Sequence, residues 1–174
     1  MSLLEKLDLR QLTPARLWAD LDAETKRLAV ETVYDGSWED EASRLEADQA
    51  IAATLRYRAQ AVRKLPAAKR VGYLLRAVRP DDSLAGTLLL ALHLGRRGPM
   101  LVDFLDRLGI EHEGGAIRAE RFERPRPERL DEAVSALYER FAAEEVDLYL
   151  AALIAMEPDT WSDLASILER RRQA

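Results

Sequence analysis

No cysteine occurs among the 174 residues, which excludes disulfides, thiolate metal centres and thiol nucleophiles. A chain without cysteine suits a reducing compartment, so a cytoplasmic location is expected. Aromatic residues make up only 6% of the chain. A core must therefore be assembled from Leu, Ala, Val and Ile, the side chains of helix-on-helix packing. No long hydrophobic run is present. The longest apolar stretch, 84–94, is broken by Gly86 and His93 and reaches about half of the roughly 20 residues that a membrane span needs. The opening Met1-Ser-Leu-Leu-Glu-Lys-Leu-Asp has no basic leader followed by a small-residue cleavage site, so no signal peptide is expected.

Reaction motifs are also missing. There is no Gly-x-Ser-x-Gly nucleophile elbow and no phosphate loop ending in Gly-Lys-Ser/Thr. Helical carboxylate-bridged metal centres use Glu-x-x-His pairs, but Leu90 precedes His93 and Gly109 precedes His112 at that spacing. The residue pattern therefore implies no cofactor and assigns no catalytic or metal-ligating residue.

What remains is a globular composition, 48% hydrophobic and 33% charged, with a net charge of −5 and a pI near 5.2. Three-and-four spacing of apolar residues recurs along the chain and predicts an all-α fold. The expected architecture is an irregular multi-helix bundle or a short curved array of antiparallel helix pairs. Thr13-Pro14 and Asp22 start helices, and Asp35-Gly36 ends the second. A long helix is expected from about 38 to 64, followed by one opened by Pro66. Asp81 or Asp82 caps a helix around Leu84, Leu88, Leu89 and Leu92, which its apolar circumference marks as the buried centre. Pro99 opens a helix that Gly109 closes. The two glycines in 110–122 suit a short β-hairpin. Three helices then follow, at about 127–141, 143–156 and 159–172. The chain reads as one domain over 1–174, with 110–126 as a possible subdomain break, because 48 further residues bury only a marginal core alone.

Several polar groups invite a functional reading. His93 lies in the most apolar stretch, where an imidazole without a partner costs about 1–3 kcal/mol; it must be satisfied or reach water. Glu111-His112-Glu113 combines an imidazole with two carboxylates, the groups used by a general base or a hard metal. Extended neighbours alternate sides, which opposes convergence on one ion. Arg96 and Arg97 precede a helix start that can hold an anion. Basic residues gather at 56–70 and at 170–172. The net negative charge, with acids expected to interleave on the surface, assigns the 56–70 cluster to a solvated face and makes nucleic acid an unfavoured ligand. Trp18, Trp38 and Trp161 each stand near a helix start among charged residues and are candidate interface anchors. These features point to a non-catalytic helical module that binds a protein partner or itself. The competing reading is a small enzyme or a ligand- or metal-binding protein using His93 and the 111–113 segment. Nucleic-acid binding through 56–70 is the third.

Overall fold

The computed structural model describes every residue except 1, 119 and 121. The described residues form eleven helices and one hairpin: α1 (Leu3–Lys6), α2 (Pro14–Asp20), α3 (Ala23–Tyr34), α4 (Glu41–Leu55), α5 (Ala59–Arg63), α6 (Ala67–Ala77), α7 (Asp82–Arg96), α8 (Gly98–Leu108), β1 (His112–Glu113), β2 (Ala116–Ile117), α9 (Pro127–Arg140), α10 (Ala143–Met156) and α11 (Ser162–Gln173). The fold is all-α and multi-helical, as the apolar spacing predicts. Its contacts resolve into two compact units, residues 14–96 and residues 1–13 with 97–174.

In the unit spanning 14–96, α7 packs on α2, α3 and α4, and α6 packs on α3 and α4. Short polar side chains set the helix starts. Asp22 accepts the Thr25 amide at 2.7 Å, Asp40 accepts that of Ser43 at 3.2 Å, and Asp81 accepts that of Leu84 at 2.9 Å. Each satisfies a backbone donor that the first helical turn leaves open. Asp82 instead reaches across to the Ala15 amide at 2.9 Å and ties α7 to the start of α2.

The long helix expected over 38–64 is two. Arg56 takes the left-handed conformation (φ 57°), and the Tyr57 amide returns to the Ala52 carbonyl at 2.9 Å. This is the six-to-one closure usually built on glycine. A left-handed arginine costs about 1–2 kcal/mol, a cost offset by packing of α5 back against α4, with Val62 fully buried. No Gly, Pro or Asn marks the site, so local signals miss it.

In the second unit α8 packs on α9, and α10 touches α1, α9 and α11. Every residue from Val146 to Ala155 is buried. This helix, not α7, is the one buried around its whole circumference; Leu90 of α7 is 41% exposed. Aromatic rings close the core: Phe104 meets Tyr149 edge-on at 5.6 Å and Trp161 at 6.1 Å. The expected hairpin is present, with His112 opposite Ile117 and Glu113 opposite Ala116. Gly114 and Gly115 turn it, both at positive φ, as a two-residue hairpin loop requires.

One polar device occurs in each unit. Buried Asp48 accepts the Tyr34 hydroxyl at 2.8 Å, with Arg70 at 3.0 Å from the carboxylate and 4.8 Å above the Tyr34 ring. Buried Asp147 accepts the Tyr138 hydroxyl at 2.6 Å, with Arg171 over that ring at 5.9 Å. In both, burial pushes the tyrosine hydroxyl upward from its ordinary pKa, and the carboxylate it bonds reinforces the shift.

Candidate functional site

Each of the two histidine candidates has hydrogen-bond partners within its own unit. His93 lies in the 14–96 unit and is 2% exposed, with Nδ1 2.7 Å from the Leu89 carbonyl one turn back. Nδ1 therefore carries the proton and donates. His112 belongs to the other unit. Its Nδ1 accepts the Gly115 amide at 3.1 Å, which leaves Nε2–H to donate to Asp106 at 2.9 Å. Nδ1 thus closes the hairpin turn, and Nε2 ties the hairpin to the end of α8. Glu111 is exposed, and Glu113 is exposed and paired with Arg118. Among the described residues no three His, Asp or Glu side chains are grouped to hold a metal.

Arg96 and Arg97 each have an acidic partner within their own unit. Arg96 pairs with Asp35 and donates from Nε to Thr32 at 3.1 Å. Arg97 turns inward, its side chain only 12% exposed, with Nε 3.6 Å from Glu145. Burial lowers its pKa, partly offset by Glu145. Two of the tryptophans are not exposed anchors. Trp161 is 1% and Trp18 7% exposed, while Trp38 is half-buried and donates to Ser43 at 3.3 Å. A helix start among charged residues does not reveal whether an indole points inward; the packing partners Phe104 and Phe122 are remote in sequence from Trp161.

The basic segment is different in kind. No Asp or Glu lies between Asp48 and Asp81, so the expected interleaving with acids is absent. Residues 49–80 carry eight Arg and Lys, a charge of +8 offset by −13 over the remainder. Arg70 is taken by Asp48. The other seven, Arg56, Arg58, Arg63, Lys64, Lys69, Arg76 and Arg79, are all exposed. None forms an ion pair with an acid among the described residues. Several exposed arginines elsewhere do: Arg10 with Glu169, Arg107 with Asp103, Arg124 with Asp163 and Arg171 with Asp131. Beside these cations Tyr57 is 50% exposed. The acid-free run is visible in the sequence by counting; grouping residues by cluster rather than by the gap between acids hides it.

A cavity adjoins this segment within the same unit. It measures about 460 Å³ and is lined by α2, Lys26 of α3 and the C-terminal part of α6 through Pro80. Trp18 and Leu74 form buried apolar wall, and Arg79 stands at its edge. No helix among the described residues is long and apolar enough to cross a membrane. Comparison with protein-family models, curated proteins and solved structures gives no match.

Proposed function

We propose that the chain is a non-catalytic helical binding module whose protein partner presents acidic groups to residues 56–79. The observation that carries the reading is the set of seven exposed, unpaired cations in an acid-free stretch of an otherwise acidic chain. Clustered like charges repel one another in the free protein, and an anionic partner relieves that repulsion. Five of the seven are arginines, whose planar guanidinium matches a carboxylate in two hydrogen bonds. An acidic protein segment fits better than nucleic acid. The net charge of −5 on the whole chain opposes a long polyphosphate, whereas a short acidic segment is neutralised locally, within the ~10 Å over which charges act at 0.1 M salt. The absence of cysteine supports a cytoplasmic setting.

The test is fluorescence anisotropy with a labelled 20-residue Glu-rich peptide and, separately, a 20-mer single-stranded oligonucleotide, titrated at rising salt. The peptide is expected to bind and to weaken as salt rises. The triple reversal R58E/K64E/K69E is expected to abolish binding with an unchanged helical circular dichroism spectrum. Absence of peptide binding at low salt overturns the reading, as does oligonucleotide binding that outlasts peptide binding at physiological salt. Light scattering on the same samples reports self-association; a salt-sensitive dimer would place the acidic partner on a second copy of the chain.

A further inference from the structure

The cavity between α2 and α6 supplies what the cations alone lack, a place for an apolar side chain. Its buried wall is Trp18 and Leu74, 7% and 2% exposed, continued by half-buried Leu75 and Val78. Its charged members, Arg16, Lys26 and Arg79, are all cationic, and no acid lines it. Lys26 is held at this edge by donating from Nζ to the Ala19 carbonyl at 3.1 Å. The volume of about 460 Å³ lies within the roughly 300–1,000 Å³ of cavities that hold ligands.

We infer that this cavity is the anchor socket for the acidic partner: it takes a leucine or phenylalanine of an amphipathic segment whose neighbouring carboxylates meet Arg79, Lys26 and the cations of α6. The inference rests on the reading of residues 56–79 as a surface for an acidic partner. Two observations select a protein segment rather than a small amphipathic acid. The cavity is open to solvent along one side, and Arg79 belongs both to it and to the acid-free stretch. A chain seated in the socket therefore runs directly onto the basic residues. Lys69 and Arg76 sit seven positions apart on α6, on one face of the helix, and continue that track. An apolar anchor in a desolvated pocket with charges around it is the arrangement that concentrates binding energy in protein interfaces.

Two helical 16-residue probes separate the socket from the basic surface. Both carry the same glutamates; one has Leu at i, i+3, i+4 and i+7, the other Ala. The wild-type chain is expected to bind the Leu peptide at least about tenfold more tightly, since each buried methylene is worth roughly a fourfold gain. Ala19 lies exposed on the cavity edge, so Ala19→Phe fills the socket without disturbing the core. It is expected to reduce the Leu peptide to the affinity of the Ala peptide and to leave the Ala peptide unchanged. Trp18 emission, isolated by subtraction against a Trp18→Phe variant, is expected to shift with the Leu peptide only. Equal affinity for the two peptides, or no effect of Ala19→Phe, overturns the socket while leaving the basic surface standing. Failure of both peptides to bind overturns both. A laurate titration that shifts Trp18 emission without competing with the Leu peptide assigns the cavity to small amphipathic acids and also overturns the inference.

Discussion

Two glycines of α7 meet opposite fates when replaced by alanine, and the contrast tests the packing of α3 against α7. In a helix interior Gly→Ala gains about 1 kcal/mol from backbone entropy alone. At Gly86 the new Cβ finds only Pro14, at 3.9 Å, ordinary contact, so the whole gain is expected. At Gly95 the new Cβ lies 2.5 Å from Thr32 Cγ2, with the Ser37 carbonyl and Trp38 Cβ at 3.3 Å. The first of these is more than 1 Å inside the favourable carbon–carbon separation. Thr32 cannot swing aside. It is fully buried, its hydroxyl donates to the Leu28 carbonyl at 2.6 Å, and it accepts Arg96 Nε at 3.1 Å. Overpacking of this kind costs about 1–3 kcal/mol, which cancels or outweighs the entropy gain of about 1 kcal/mol and leaves Gly95→Ala between neutral and about 2 kcal/mol destabilised. The clashing atom is a single methyl group, and Thr32→Ser removes it while keeping the hydroxyl. The double variant Gly95→Ala/Thr32→Ser is therefore expected to recover the overpacking cost, about 1–3 kcal/mol, relative to the sum of the two single changes. Urea unfolding followed by circular dichroism at constant m-value measures all four corners of the cycle. The reasoning fails if Gly95→Ala stabilises as much as Gly86→Ala, or if the cycle is additive within about 0.5 kcal/mol.

Asp147 is pushed above the ordinary carboxylate range by burial, with the Tyr138 hydroxyl and Arg172 pulling it partly back. A carboxyl whose folded pKa exceeds its unfolded value favours the protonated folded state, so its contribution weakens stability as pH rises from the unfolded value through the folded one. Asp147→Asn keeps an acceptor for Tyr138 and is expected to flatten that decline in urea midpoints measured from pH 3 upward, with no loss of stability at pH 7; a steeper decline or a large loss at pH 7 contradicts it. Asp48 lies 4% exposed beneath Arg70 and Tyr34. Asp48→Ala leaves the guanidinium and hydroxyl without their acceptor and is expected to cost about 3–5 kcal/mol, whereas replacement of an exposed surface acid such as Glu39 stays within about 0.5 kcal/mol. Comparable midpoints for the two would show that the buried pair contributes nothing.

Much of the local structure is legible residue by residue. Asp22 and Asp81 cap helices because a short carboxylate reaches the open amides of the first turn. Pro99 and Pro127 stand in the first turns of α8 and α9, and left-handed Gly109 closes α8, each by fixed backbone preference. Gly114-Gly115 makes the hairpin because both positions need positive φ. These outcomes depend on atoms within about four residues, so the order of residues determines them. The split at Arg56 does not share that property; it depends on α5 folding back on α4, a contact that no nearby residue announces. The same limit explains the tryptophans and histidines. Trp161 is inward because it packs on Phe104 and Phe122, while His93 bonds the Leu89 carbonyl within its own helix and His112 bonds Asp106.

Charge divides along the same line. The order of residues alone makes 49–80 a cationic island, because charge is additive along the chain. Only the folded structure decided that Arg70 is consumed by Asp48 while seven other cations remain exposed and unpaired, and that Trp18 and Leu74, 56 positions apart, wall one cavity beside Arg79. The reason is range. Helix starts, caps and turns are settled by neighbours along the chain, whereas burial, ion pairing and cavities arise between residues brought together only by packing.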